Sequence, residues 1–196
     1  EEYDLQNVYS ITFKQNEASY LAGALAAMIA QDSSIGNGKK IISLVAGMDI
    51  PVINDFVVGY IQGAKDTVSD IKVAVSYIGD FNDTAKAKEL ALSQFDLGSS
   101  IGFNVAAQAG LGLIDAAAAA DAYAIGVDAD QALALMETNP DAANKIVTSV
   151  LKNIDQAILR AVQLHIEGNL PYGKTEVLGI KEKAVGLADN EIYRKI

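Results

Sequence analysis

Between residues 40 and 130 the sequence alternates short apolar, β-branched runs with longer amphipathic stretches, four times over. Lys40–Ala46 (KIISLVA) leads through Gly47-Met48-Asp49-Ile50-Pro51 into a helical pattern over Val52–Thr67. Ile71–Ile78 leads through Gly79-Asp80-Phe81-Asn82-Asp83 into Thr84–Leu97. Ile101–Ala106 leads through Ala107-Gln108-Ala109-Gly110 into a helix ending near Asp121, and Ala122–Val127 ends in Asp128-Ala129-Asp130. Strands that are apolar almost throughout are strands buried on both faces. Joined by helices, they predict an α/β fold with a parallel sheet flanked by helices.

The flanks are less regular. Val8–Lys14 reads as a strand and Asn16–Ala30 as a helix with Asn16 as its N-cap. Gln31–Lys39, polar with two glycines, is the best candidate for a boundary or crossover. Beyond Asp130, Ala132–Met136 predicts a short helical turn, Asn139-Pro140 a turn and Ile146–Val150 a strand. Lys152–Glu167 predicts a long amphipathic helix stopped by Gly168, Glu176–Lys181 a last strand, and the tail beyond Lys183 irregular structure.

Composition narrows the chemistry. Of 196 residues, 51% are hydrophobic, which is ample for a core. Cysteine is absent, which excludes disulfides and thiolate zinc sites. His165 is the single histidine, so a His-rich metal site or a Ser-His-Asp triad has little to build on. The 25 acidic against 15 basic side chains leave a net charge of −10. Such a surface repels phosphate backbones and anionic membranes, and nucleic acid is not an expected partner. The longest apolar stretch, Leu21–Ala30, is half of what a bilayer requires. The opening Glu1-Glu2-Tyr3-Asp4 is acidic where a leader would be basic, as in a mature or cut chain.

In open parallel sheets ligands bind at the carboxyl ends of the strands. The loops there present Asp49, then Asp80, Phe81, Asn82 and Asp83, then Gln108, then Asp128 and Asp130. Carboxylates and amides with one aromatic suit a hydroxylated, ring-bearing solute better than a phosphate, which calls for glycine-rich turns and Lys or Arg. Capping or turn formation is the favoured account of Asp49, Asn82 and Asp83, whereas for Phe81 stacking on a ligand is favoured and packing on a neighbouring helix is the alternative. Gly36-Asn37-Gly38-Lys39 fails as a P-loop because it precedes a strand and lacks the Ser or Thr. Gly110-Leu111-Gly112 opens a helix after a strand, but Asp115 replaces the third glycine of a dinucleotide fingerprint. No cofactor and no catalysis are implied.

The segments SITFKQNEASYLAGALAAMIA (10–30), VAGMDIPVINDFVVGYIQGAK (45–65), YIGDFNDTAKAKELA (77–91), YAIGVDADQ (123–131), VTSVLKNID (147–155) and GIKEKAVGLA (179–188) together resemble the basic membrane protein family. These are purine-nucleoside-binding lipoproteins that feed ABC importers. The resemblance implies a two-lobed, type I periplasmic-binding-protein-like fold, of which this chain is about the C-terminal two thirds. Residues 1–38 would end the first lobe, 39–146 form the second, and 147–196 return to the first, with hinges near 35–40 and 146–152. By position Asp128 is similar to the family's ribose-binding carboxylate and Phe81 to its second-lobe aromatic. Lys152 matches a lysine near the cleft, with surface pairing to Asp155 as the alternative. Gln108 departs from a family Gly-Gly pair at 107–108. The implied partners are a purine nucleoside or related solute and a permease. The implied location is the cell surface or periplasm, through a lipid-anchored N-terminal segment. An incomplete first lobe would expose Tyr20–Ala30 and the Lys152 helix and favour self-association. Alternatives are a ligand-sensing regulator on the same fold and, resting only on Gly110, a dinucleotide enzyme.

Overall fold

The structure is a computed structural model that describes residues 5–196; the acidic opening lies outside the described residues. Eight strands and seven α-helices follow in the order β1 (Ser10–Phe13), α1 (Gln15–Gln31), β2 (Ile41–Ala46), α2 (Pro51–Thr67), β3 (Lys72–Tyr77), α3 (Thr84–Asp96), β4 (Ile101–Val105), α4 (Leu111–Ala119), β5 (Tyr123–Asp128), α5 (Gln131–Leu135), α6 (Pro140–Ala143), β6 (Ile146–Lys152), α7 (Ile154–Ile166), β7 (Thr175–Leu178) and β8 (Val185–Leu187). Six strands form one sheet in the order β3-β2-β4-β5-β6-β8, parallel except for β8, which runs antiparallel to β6. β1 and β7 form a separate parallel pair.

The apolar runs are buried as their composition requires: β4 is buried at all five positions, and β2 at five of six. One face of the sheet packs on α1 and α2 around Phe56, Tyr60 and Phe103, and the other on α3 and α4 around Leu113 and Ile114. The Ala-rich sequence of α1 has a packing reason. A Cβ at Gly23, Gly59 or Gly63 would overlap a backbone carbonyl of the facing helix, at Tyr60, Asn16 and Tyr20 respectively. Small residues on both helices let the backbones approach closely, and Ala18, Ala22 and Ala26 are fully buried there. The expected exposed surface on Tyr20–Ala30 is therefore mostly core; its large exposed side chains are Leu21 and Met28.

Two other expectations are corrected. Lys14, not Asn16, precedes the first turn of α1, and it offers no side-chain cap. The tail beyond Lys183 contains β8, whose three residues are too few to show a period. Residue 38 lies in the connection between α1 and β2, which contribute to one core. β1, β7 and α7 pack with one another through Ile11, Phe13, Ala157 and Leu178 in a small core of their own, and Phe13 also touches the core of the large sheet. The chain passes between the two bodies at Lys14, at Asn153 and over Gly179–Ala184. The crossings are tied together: Lys14 N–H donates to the Leu178 carbonyl and Asn153 N–H to the Ala184 carbonyl, both at 2.8 Å. Ile180 N–H donates to the Glu17 carboxylate, also at 2.8 Å. Among the described residues no helix is long and apolar enough to cross a membrane.

Candidate functional site

Because β2 to β6 are parallel, the loops that follow them emerge on one edge. Across that edge the strand order places Phe81, then Asp49, Gln108, Asp128 and Lys152 in a row, with about 4.8 Å between neighbouring strands. A cavity of about 430 Å³ opens at the Lys152 end, between the β1–β7 pair and the start of α2, lined by Thr12, Phe13, Gln15, Val52, Asp55 and Lys152. That volume lies within the range of small-molecule sites, roughly 300–1,000 Å³.

Asp128 closes β5 with φ +67°, a left-handed conformation that is uncommon away from glycine. Its carboxylate is 55% exposed and lies 3.3 Å from the Lys152 ammonium. Lys152 is half-buried, and its Nζ stands 5.0 Å from the centre of the Phe56 ring, a cation–π distance. The carboxylate and the ring fix the ammonium at the cavity wall. Asp155 instead accepts from Gln156, so the alternative pairing of Lys152 with Asp155 is not formed. Asp128 reaches the cavity through Lys152; Phe81, Asp49 and Gln108 lie farther along the edge, outside its lining.

Those three residues are held by specific contacts. The half-buried Phe81 ring covers Gly47, where any Cβ would overlap it, and the Phe81 carbonyl accepts from Ala109 N–H at 2.8 Å. Asp49 accepts from Asn54 Nδ2 at 2.8 Å, and Asn54 accepts from the Tyr77 hydroxyl at 2.7 Å. Burial, and then the Asp49 charge, push the Tyr77 phenol above its ordinary pKa. Asp49 is thus tied to α2, although Ile50 and not Asp49 occupies the cap. Gln108 is exposed in a single 3-10 turn that begins at Ala107 with φ +48°, so the glycine expected at 107 has a conformational reason. Asp83 and Asp130 cap α3 and α5 by accepting from Lys86 and Leu133 N–H.

The rejected motifs have structural causes. A Cβ at Gly110 would overlap Asn104 Oδ1, and one at Gly112 would overlap the Thr84 carbonyl, so both glycines serve packing. Asn37 builds the turn before β2, donating to the Gly98 carbonyl and accepting from Lys39 N–H, each at 3.0 Å. His165 is exposed and pairs with the Tyr172 hydroxyl at 2.8 Å. Sequence reasoning missed Gln15, Asp55 and Phe56. Gln15 is 4% exposed and donates to Asp55 at 3.0 Å, joining the starts of α1 and α2 beside the cavity. A polar residue in a first helical turn reads as solvated, so nothing local announces this contact.

A parallel sheet between two helix layers, with a second small body joined by several crossings and a cavity between them, is the architecture of type I periplasmic binding proteins. The chain belongs to the family of PnrA-like ABC transporter substrate-binding proteins, whose model matches residues 1–195. It is 34% identical over 189 residues to basic membrane protein D of Borreliella burgdorferi, covering 95% of this chain and 51% of that protein. It is 31% identical over 194 residues to the ABC transporter nucleoside-binding protein BmpA of Lactococcus lactis, covering 94% and 53%. A solved ABC transporter solute-binding protein of Aeropyrum pernix superposes with a TM-score of 0.80 at 33% identity, covering 100% of this chain and 53% of that one. The chain therefore spans about half the length of the relatives it matches, less than the two thirds expected.

Proposed function

We propose that this chain forms one lobe and part of a second in the solute-binding component of an ABC importer, and that it holds a purine nucleoside without altering it. The lobes divide at the three crossings, with β1, α7 and β7 on one side and the six-stranded sheet on the other. The ribose 2′ and 3′ hydroxyls donate to Asp128, whose charge strengthens both bonds. The base stacks on the free face of Phe81. Lys152 supplies a donor at the cavity wall, and Gln108 and Asp49 border the solute. One observation carries this reading: the Asp128 carboxylate, half exposed, is held beside an open cavity by a lysine that is itself pinned. A permease is the macromolecular partner, and the protein works outside the cytoplasm, anchored by lipid to the membrane. The exposed α7 face favours self-association of the chain when isolated.

Calorimetry on the full natural protein with adenosine, guanosine, inosine and ribose tests the proposal. Heat of binding is expected with at least one nucleoside, and silence with all of them at sub-millimolar concentration rejects it. Asp128→Ala is expected to weaken nucleoside binding by about 2 kcal/mol or more, because two hydroxyls lose a charged acceptor. Unchanged affinity removes Asp128 from the site.

A further inference from the structure

Behind Asp128 lies a buried polar cluster with no place in the proposed contacts. Gln131, the first residue of α5, folds its side chain back beneath the end of β5. Its Oε1 accepts from Val127 N–H at 2.9 Å and from Asn104 Nδ2 at 2.8 Å. Its own N–H donates to Ser149 Oγ at 3.1 Å. Asn104 and Ser149 are fully buried. Asn104 also accepts from Ala106 N–H at 3.2 Å and rests against Gly110, in the loop that carries Gln108. Gly126 is kept bare by the same cluster, since a Cβ there would overlap Ser149 Oγ and stand 2.7 Å from Gln131 Oε1.

β4 and β5 thus converge on one amide oxygen, and β6 is tied to the same residue through its backbone N–H. The peptide it grips, Val127 N–H, immediately precedes the left-handed residue Asp128. A non-glycine residue persists in that conformation only where its surroundings over-determine it. Resting on the nucleoside reading above, the geometry points to Gln131 as a positioning residue. It fixes the backbone turn that aims the Asp128 carboxylate at a vicinal diol, and so sets the preference for ribose over deoxygenated sugars. Asn104 links the same grip to the Gln108 loop.

The test compares a purine ribonucleoside with its 2′,3′-dideoxy counterpart by calorimetry on the full natural protein. The native protein is expected to prefer the ribonucleoside by about tenfold or more, the size of a hydrogen bond to a charged group. Gln131→Met keeps length and volume but removes the acceptor. It is expected to lower ribonucleoside affinity by about tenfold while leaving dideoxynucleoside affinity within about twofold, so that the preference disappears. Gln131→Glu retains an acceptor oxygen and is expected to restore most of the preference. Ser149→Ala, a smaller change that serves if Gln131→Met does not fold, is expected to narrow the preference by about threefold. Retained preference in the folded variants, or equal weakening of both ligands, overturns the role of Gln131 while leaving the site intact. A native protein that binds both ligands equally overturns the Asp128 reading, and this inference with it.

Discussion

Tyr9, Arg160 and Glu176 show how a few side chains set the conditions under which the smaller body holds together. Arg160 grips the Glu176 carboxylate through both terminal nitrogens, at 2.6 and 3.3 Å, and the Tyr9 hydroxyl bonds to both partners. The Arg160 hydrogen bond, followed by that from Tyr9, holds the Glu176 carboxyl below its ordinary pKa. Burial, then the hydrogen bond and charge of Glu176, push the Tyr9 phenol up to about 12. The lowered carboxyl contributes stability above the unfolded value of about 4.3, and that contribution is lost as pH falls through the folded value. The raised phenol contributes below about pH 10, and that contribution is lost as pH rises to about 12. The stability difference between the native chain and Tyr9→Phe should therefore be constant from neutral pH up to about pH 10 and shrink towards pH 12, read from thermal midpoints. A gap that does not change with pH contradicts the arrangement. Little of this was legible in the sequence, because Tyr9 and Glu176 meet only through the β1–β7 pairing. The same holds at the carboxyl edge of the sheet. Asp128 and Lys152 stand out at the ends of apolar strands, but Phe56, which lies beneath the Lys152 ammonium, and Gln131, which holds Val127 N–H, look like ordinary helix residues until the fold brings them underneath.

At the level of elements, helix and strand identities were readable where burial leaves a periodic trace. The four β-loop-α units follow the sequence closely because β2, β4 and β5 are buried and the helices pack one face on the sheet, while the edge strand β3 is half-buried. What could not be read was which sheet a strand joins, since pairing is a non-local choice. β1 resembles the other strands, yet its partner is β7 near the far end of the chain. The α1–α2 contact is the most exacting joint in the molecule, because backbone meets backbone at Gly23, Gly59 and Gly63. Gly63→Ala gains in helix propensity, but it forces two helices apart over a shared core. We expect a net loss of about 1–3 kcal/mol in urea unfolding, the range for overpacked cores. Alanine at Gly168, with no neighbour within 4 Å, meets no such obstacle and serves as a packing control, although its φ of +73° adds local strain. Equal effects at the two sites would argue against close helix contact as the cause.

On the scale of the whole molecule, the two bodies differ in how well they are finished. The six-stranded sheet is covered by helices on both faces, whereas α7 turns Ile154, Ile158, Leu159, Val162 and Ile166 outward, each at least 50% exposed. An amphipathic helix with its apolar stripe in water gains from any apolar cover. The 196-residue chain prepared alone is accordingly expected to sediment as more than its 20.6 kDa. Replacing Ile158 and Val162 with Lys is expected to return it to one copy, and a clean monomer for the native sequence would refute this. The three passages between the bodies lie side by side and are stitched by hydrogen bonds at Lys14, Asn153 and Ala184. Three neighbouring passages, two of them closed by main-chain hydrogen bonds, moor the small body to the large one at more than a single point, so cutting any one of them leaves the other two holding.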